Sequence, residues 1–281
     1  MPILNRSDVS LHYVVEGKGA PILFVQGAGV IGEGWRPQVE AFKGDYETCI
    51  YDNRGIGASS PLTAPLHVAD MVGDGLAVMD ALGWKSAHVV GHSLGGVVAQ
   101  QLALDAPDRV RSLSLLCTVA RGADATGLTA RMLWLGIRSR VGTRAMRRRA
   151  FLEMVVPASL LEARDAASVA EELGAHFGRD LADSPPVVMA QLRALAAHDT
   201  TPRLAELGAI PTLVMSATDD VITRFEHGER LAARIPDARF VPMKGAAHAV
   251  TIHEAERVNE HLRAHFRRAP SGSKRPLAKT A

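Results

Sequence analysis

A serine stands between two glycines in the stretch VVGHSLGGVV, residues 89–98. An apolar run precedes Ser93 and a pattern with helical spacing follows it, which predicts a strand, a sharp turn and a helix. Such a turn exposes the serine hydroxyl, while Gly91 and Gly95 leave room beside it and allow a positive φ where the turn needs one. The start of the helix directs its free N–H groups toward charge that develops at the serine. We therefore predict that Ser93 is a nucleophile.

A serine hydroxyl needs a base and an acid that orients the base, so the chain must supply a histidine partner. Of the eleven histidines, His248 is favoured because it lies in KGAAHAV, a small-residue segment directly after the last predicted strand. His253 is the next candidate. His261 and His265 are four residues apart on a polar helix, which is more typical of a solvated face than of a metal site. We expect no metal ion.

Three aspartates are candidates for the acid. Asp219 and Asp220 both follow the apolar run in IPTLVMSATDDVIT, where a carboxylate can lie at the carboxyl end of a strand. Asp220 is preferred because the apolar pair Val221 and Ile222 comes next and can anchor the loop. Asp124, in the loop after the preceding strand, is a weaker candidate and is more typical of a helix cap.

Short apolar runs alternate with helical patterns along the chain, which predicts an α/β fold with a mainly parallel sheet. Strands are predicted in VSLHYVVEG and at residues 21–27, 47–55, 87–93, 111–119, 210–220 and 238–248, and helices at 65–83 and 94–110. Between residues 121 and 200 only helical patterns occur. This segment is too long for an ordinary loop and long enough to form a lid. We predict a core formed by residues 1–120 and 201–268, a helical cap at 121–200, and a disordered tail at 269–281.

Composition limits the classes of function. The 281 residues are 47% hydrophobic and 22% charged, which is typical of a globular protein. The net charge of +2 gives no indication of nucleic-acid binding. No secretory signal or long apolar run is apparent, so we expect a cytoplasmic protein without stable membrane insertion. Cys49 and Cys117 lie in apolar runs and are predicted to be buried free thiols.

The order Ser, Asp, His and the interrupted sheet resemble the α/β-hydrolase family along nearly the whole chain. The resemblance rests on GHSLGG around the serine, YDNRGIGAS at 51–59, SATDDVIT and GAAHAV. The acid motif of the family is usually Gly-X-X-Asp, and with Ala217 in the glycine position the match falls on Asp220. It implies a catalytic triad of Ser93, Asp220 and His248 in an α/β-hydrolase fold with an inserted helical cap.

Family members also carry a His-Gly segment after an early strand, and here FVQGAGVIGEGW has Gln26 in place of the histidine. The resemblance implies an oxyanion hole formed by the backbone amides of Ala28 and Leu94. The departure at Gln26 need not destroy this hole, because both donors are main-chain groups.

Serine at the nucleophile position argues against the haloalkane dehalogenase and epoxide hydrolase branches of the family, which use aspartate there. We expect a serine hydrolase that cleaves a carboxylic ester or lactone through an acyl-enzyme and needs no cofactor. The alternatives are hydrolysis of a carbon–carbon bond in a diketone, or a cofactor-free haloperoxidase or perhydrolase reaction. A small-molecule receptor that does not turn over its ligand is a further alternative from a different class.

The cap is expected to set substrate choice, since such lids supply pocket walls. Trp134, in the apolar segment RMLWLG, and Trp35, close in sequence to the oxyanion segment, suggest a small-molecule substrate with a hydrophobic acyl or alkyl group. Gln26 either contacts substrate or packs in the loop. The arginine-rich run at 138–151 is interpreted as a solvated helix face, with attraction of an anionic partner as the alternative.

Overall fold

An eight-stranded sheet forms the centre of the computed structural model, which describes residues 2–126 and 129–269. The strands are β1 (Ile3–Asn5), β2 (Ser10–Gly17), β3 (Ala20–Val25), β4 (Tyr46–Tyr51), β5 (Ala87–His92), β6 (Val110–Leu116), β7 (Thr212–Ala217) and β8 (Arg239–Met243). Their order across the sheet is β1-β2-β4-β3-β5-β6-β7-β8, and only β2 runs against its neighbours. The predicted mostly parallel α/β sheet is confirmed.

Helices cover both faces of this sheet and fill the long interval between β6 and β7. They are α1 (Arg36–Phe42), α2 (Val68–Ala81), α3 (Leu94–Asp105), α4 (Gly122–Thr126), α5 (Ala130–Arg138), α6 (Arg144–Val155), α7 (Ala158–Ala163), α8 (Ala166–Phe177), α9 (Val187–Ala196), α10 (Phe225–Arg234), α11 (Val250–His253) and α12 (Ala255–Phe266). Short 3-10 helices span Gly32–Trp35, Pro107–Arg109 and Thr201–Ala209.

The central strands are apolar on both faces because both faces are covered. Along β3, Leu23 packs into a core cluster with α2, α3 and α10, while Ile22 packs into a second cluster with α1 and α12. This two-sided burial explains the continuous apolar runs of the sequence, which differ from the alternating pattern of a half-exposed strand.

The six helices α4–α9, here called the cap, lie between β6 and β7. The described residues of the cap have an apolar cluster of their own, which includes Leu152, Val169 and Leu173 and reaches Val30 of the core. An isolated antiparallel bridge joins Arg121 to Asp199 and brings the entry and exit of the cap together. The cap is therefore an excursion from one edge of the sheet, at the carboxyl ends of β6 and β7.

Several elements differ from those expected. β1 was not predicted, since it has only three residues at the sheet edge, where Ile3 is 54% exposed. β4 ends at Tyr51 rather than near residue 55, because the chain turns there. The predicted tail at 269–281 lies outside the described residues, apart from Ala269. No helix in the described part of the chain is long and apolar enough to cross a membrane.

Candidate active site

Ser93 occupies the turn between the end of β5 and the start of α3 with φ of 54° and ψ of −121°. This is a strained conformation for a residue with a side chain. The neighbouring glycines supply space rather than positive φ. A Cβ on Gly91 would lie 2.3 Å from the carbonyl oxygen of Gly95, and one on Gly95 would lie 2.1 Å from that of Val25. The expectation of room at these glycines is confirmed, but the positive φ lies on the serine itself.

A continuous hydrogen-bond chain links the three residues selected from the sequence. Ser93 Oγ lies 3.0 Å from His248 Nε2, and His248 Nδ1 lies 2.7 Å from Asp220 Oδ2. His248 follows β8 and Asp220 follows β7, so parallel strands bring all three to one edge of the sheet. The carboxylate can only accept, so Nδ1 carries the proton and Nε2 is free to accept from the serine hydroxyl.

The Asp220 carboxylate is fully committed to hydrogen bonds. Oδ1 accepts the main-chain N–H groups of Ile222 and Thr223 at 2.8 and 2.9 Å, and Oδ2 accepts the Thr223 hydroxyl at 2.7 Å. Burial alone would raise the pKa of this carboxyl, but His248 and Thr223 outweigh burial and hold the pKa below its usual value. The buried group is therefore ionised, and it orients the imidazole.

The other acid candidates lie elsewhere. Asp219 is exposed and accepts the hydroxyl of Thr218. The side chain of Asp124 is 40% exposed and lies 3.9 Å from His227. Ile222 packs against the cap cluster, which is consistent with the expected anchoring of the acid loop. Sequence reasoning missed Thr223, although its position three residues after the aspartate is a usual spacing for a side chain that closes a turn.

Two main-chain amides beside Ser93 have no acceptor among the described residues: that of Leu94, at the start of α3, and that of Ala28, in the loop after β3. Ala28 lies in Gln26-Gly27-Ala28-Gly29, here called the 26–29 loop. Gly27 brings this loop close to the serine, because a Cβ there would lie 3.1 Å from Ser93 Cβ. These are the two amides that the resemblance implies as oxyanion donors, and that role stays a prediction.

Gln26 is 3% exposed, and its side chain turns back onto its own loop. Its Oε1 accepts the N–H of Gly27 at 2.8 Å, and its main-chain carbonyl accepts Asn53 Nδ2 at 3.1 Å. Of the two roles considered for Gln26, packing within the loop is the one that these contacts favour.

His92, next to the serine, packs against the imidazole of His248 and bonds its main chain. Its ring centroid lies 4.8 Å from that of His248, and its Nε2 donates to the His248 carbonyl at 2.8 Å. Burial, with a smaller contribution from His248, lowers the pKa of His92 to about 3, so the ring stays neutral. Sequence reasoning did not select His92, although it stands directly before the serine.

The two tryptophans expected in the pocket do not meet at the serine. Trp35 is fully buried and packs 5.0 Å from Phe24 in the core, so it is not open to a ligand in this structure. Trp134 is 55% exposed on α5, with the guanidinium of Arg138 over its ring. Trp35 was placed in the pocket because it is close in sequence to the 26–29 loop, but the 3-10 helix at Gly32–Trp35 directs its side chain into the core.

Instead, α9 of the cap covers the 26–29 loop. A Cβ on Gly29 would lie 2.7 Å from Val188, and one on Gly55 would lie 2.5 Å from Val187. One turn later, the Oε1 of Gln191 accepts the N–H of Gly29 at 2.8 Å. Sequence reasoning did not select these residues, since nothing in a helical pattern tells which face meets a distant loop.

The arginine-rich run is largely paired within the cap. Arg144 and Arg148 both contact Asp180, and two further arginines of α5 and α6 contact Glu153. These contacts favour the interpretation as an ion-paired, solvated face over a surface that attracts anions.

The remaining histidine candidates have structural contacts. His253 lies against the main chain of Ala247, and the buried His265 donates to the carbonyl of Leu113 at 3.2 Å. The expectation of a solvated position is therefore wrong for His265. Among the described residues, no group of three His, Cys, Asp or Glu side chains is arranged to hold a metal ion.

The parallel sheet with its strained serine, the histidine after the last strand and the inserted helices define the class of protein. The model of the alpha/beta hydrolase fold family matches residues 20–255, and the chain belongs to this family.

Within the family, the chain is 34% identical over 269 residues to the protein named "Putative carbamate hydrolase RutD" of Azorhizobium caulinodans, covering 93% of this chain and 97% of that one. The crystal structure of the enol-lactonase from Burkholderia xenovorans LB400 is similar at a TM-score of 0.78 and 25% identity, covering 95% of this chain and 100% of that one. Est816, described as an N-acyl homoserine lactone degrading enzyme, is similar at a TM-score of 0.79 and 26% identity, covering 94% and 99%.

Proposed function

We propose that this α/β hydrolase is a serine hydrolase that cleaves a carboxylic ester or lactone carrying a hydrophobic group. The observation that carries the proposal is the chain of hydrogen bonds from Ser93 through His248 to the buried Asp220. This arrangement gives the serine a base and holds the base in the tautomer that can accept its proton.

In the first half-reaction, Ser93 Oγ attacks the substrate carbonyl carbon while its proton moves to His248 Nε2. Asp220 stabilises the imidazolium that forms. The carbonyl oxygen becomes an oxyanion, which accepts hydrogen bonds from the amides of Ala28 and Leu94. The imidazolium then protonates the leaving alkoxide, the carbon–oxygen bond breaks, and an acyl-serine remains.

In the second half-reaction, water replaces the alcohol. His248 takes a proton from water as its oxygen attacks the acyl carbon, and then returns the proton to Ser93 Oγ as the acyl–serine bond breaks. The carboxylic acid leaves and the free enzyme is restored, so the chemistry needs no cofactor. A lactone follows the same course, with its alcohol still attached to the acyl group.

A hydrophobic substrate group is supported by the side chains that the cap brings to the 26–29 loop. Val188 contacts Gly29, and the cap cluster extends to Val30 in the next position. An acyl or alkyl group that packs beside these side chains is removed from water, which is favourable for an apolar group. The similarity to an enol-lactonase and to a lactone-degrading enzyme agrees with this substrate class.

A second candidate is hydrolysis of a carbamate. It is favoured by the 34% identity with the relative whose name contains that activity. The same residues would act, because a carbamate also presents a carbonyl to the serine. Its nitrogen donates electron density to that carbonyl, so a carbamate is less reactive toward the serine than an ester is.

The test is a substrate panel run with the wild type, Ser93→Ala and the matched control Ser114→Ala. Ser114 is buried in β6 and its hydroxyl has no partner among the described residues, so its loss should leave turnover intact. The panel contains p-nitrophenyl esters of increasing chain length, aliphatic lactones, an aryl carbamate and a vinylogous diketone. We expect ester or lactone turnover that Ser93→Ala abolishes.

Labelling with a fluorophosphonate, which reacts with an activated serine, should mark Ser93 in the wild type and in Ser114→Ala, and should be absent from Ser93→Ala. Wild-type turnover in Ser93→Ala would refute the proposal. Turnover of the carbamate with none of the esters and lactones would replace the first candidate with the second, and turnover of the diketone alone would point to carbon–carbon bond hydrolysis.

A further inference from the structure

Three consecutive main-chain N–H groups in the 26–29 loop differ in their hydrogen bonding. The N–H of Gly27 donates to Oε1 of Gln26 at 2.8 Å, and the N–H of Gly29 donates to Oε1 of Gln191 at 2.8 Å. The N–H of Ala28, between them, has no acceptor in the part of the chain that the structure describes. Two glutamines therefore bracket the one amide of this loop that the proposed mechanism uses.

Such a bracket matters because the two glycines that flank Ala28 have no side chains that could stiffen this part of the loop. A Cβ on Gly27 would be a tight 3.1 Å from Ser93 Cβ, which favours glycine there, and glycine allows the next peptide plane to rotate easily. That plane carries the Ala28 N–H. Rotation about the Gly27 and Ala28 backbone bonds turns the N–H away from the serine unless the planes on both sides are held.

The plane before Ala28's own is held within the core. Its carbonyl, that of Gln26, accepts Asn53 Nδ2 at 3.1 Å, and its N–H, that of Gly27, donates to the Gln26 side chain. The plane after it has a different anchor. Its N–H, that of Gly29, is held by Gln191 on α9, so the second half of the bracket belongs to the cap.

Gln191 is fully buried, and the orientation of its side-chain amide follows from its partner. Gly29 N–H is a donor, so the oxygen must face the loop, and Nε2 is then left without an acceptor among the described residues. Burying an unpaired NH₂ group is unfavourable. An apolar side chain would fill the same space without that cost, so the hydrogen bond to Gly29 is what the glutamine adds at this site.

We propose that Gln191 is a positioning residue of the oxyanion hole, through which the seating of the cap sets the direction of the Ala28 N–H. The inference rests on the proposed function, since it concerns a donor that acts only if Ser93 forms a tetrahedral intermediate. With the cap seated, the donor points to the oxyanion. When α9 is displaced, the peptide plane of Ala28 is free to rotate and the hole loses one donor.

The test compares Gln191→Met with Gln38→Met. Methionine keeps the length of the side chain and removes the acceptor. Gln38 is the matched control, because it is also fully buried. Within the described ranges its Nε2 bonds the carbonyl of Thr251 and its Oε1 has no partner. The measurements are kcat and KM with p-nitrophenyl butyrate, inhibition by phenylboronic acid, the rate of fluorophosphonate labelling, and the melting temperature.

We expect Gln191→Met to lower kcat by about tenfold to a hundredfold with KM changed by less than about threefold, since outright removal of one oxyanion donor costs about 10²–10³ in kcat. Boronic acid forms a tetrahedral adduct with an active serine, so its affinity should fall in proportion to kcat. Fluorophosphonate labelling should slow as well. Hydrogen exchange at the Gly29 amide should accelerate. Gln38→Met should keep kcat, even where its melting temperature is lowered as much.

The inference is overturned if Gln191→Met keeps wild-type kcat, if its loss equals that of Gln38→Met, or if KM alone rises. In those cases the wild type still labels at Ser93, and the proposed function stands. If the wild type neither labels at Ser93 nor turns over any substrate of the panel, the proposed function fails, and the inference fails with it.

Discussion

Replacing Asp220 by asparagine should greatly reduce activity, because the fold fixes the orientation of the new side-chain amide. Oδ1 of Asp220 accepts two main-chain N–H groups, from Ile222 and Thr223, and neither donor can be turned away. The asparagine oxygen must therefore take the Oδ1 position, which leaves its NH₂ group at the position of Oδ2, 2.7 Å from His248 Nδ1. That NH₂ can only donate, so Nδ1 must become the acceptor.

The proton then moves to Nε2, where it blocks acceptance of the serine proton. The same change of tautomer in a serine protease lowers kcat about 10⁴-fold, which corresponds to about 5.4 kcal/mol at about 1.36 kcal/mol per tenfold. We expect a loss of this order for Asp220→Asn in p-nitrophenyl butyrate hydrolysis. Fluorophosphonate labelling of Ser93 should slow in parallel, with the enzyme still folded by circular dichroism.

The neighbouring aspartate supplies the control. Asp219→Asn alters an exposed carboxylate whose side-chain partner is the hydroxyl of Thr218, and it should leave kcat within about twofold of the wild type. The reasoning is refuted if Asp220→Asn keeps activity within about tenfold of the wild type, or if Asp219→Asn loses as much.

The remaining predictions concern stability and reactivity. Burial lowers the pKa values of His88 and His92 to about 3, so below about pH 6.5 these histidines bind protons in the unfolded chain but not in the folded protein. Each histidine should therefore reduce the free energy of unfolding by about 1.4 kcal/mol per pH unit down to about pH 3. Urea unfolding between pH 7 and pH 5 measures this slope, and a flat profile contradicts the prediction. Gly95→Ala should fail to yield folded protein, because its Cβ would lie 2.1 Å from the carbonyl oxygen of Val25; a soluble variant with a wild-type melting temperature would contradict this. Burial and the nearby Asp220 raise the pKa of Cys117, so a thiol reagent should label it only after denaturant is added, and rapid labelling of the native protein would contradict this.

Local patterns were sufficient to predict most of the sheet and the position of Ser93. The continuous apolar runs correspond to strands that are buried on both faces, and the strand-turn-helix pattern around the serine depends on residues adjacent in sequence. The order of motifs also selected His248 and the pair Asp219 and Asp220, because carboxyl ends of parallel strands lie at one edge of the sheet, and the apolar residues that follow favoured Asp220 of the two.

Residues that act across the fold could not be found in the same way. Asp219 and Asp220 are adjacent in the sequence, and only the direction of the turn after β7 separates an exposed carboxylate from a buried one. Trp35 and Gln191 both show that distance along the sequence does not predict which residues are in contact. The tryptophan is near the 26–29 loop in sequence but faces the core, while the glutamine is 162 residues from Gly29 and contacts it directly.

The strained conformation of Ser93 is likewise maintained by distant residues. Its N–H donates to the carbonyl of Leu116 at 3.0 Å, and its own carbonyl accepts the hydroxyl of Thr118 at 2.7 Å and the N–H of Gly96 at 2.9 Å. A backbone held at both ends by β6 and α3 cannot relax without breaking these bonds, so the cost of the positive φ is offset by the surrounding fold. The position of the serine hydroxyl is thus determined by the neighbouring strand as much as by its own turn, and loss of the Thr118 hydroxyl should loosen the nucleophile without touching any reacting group.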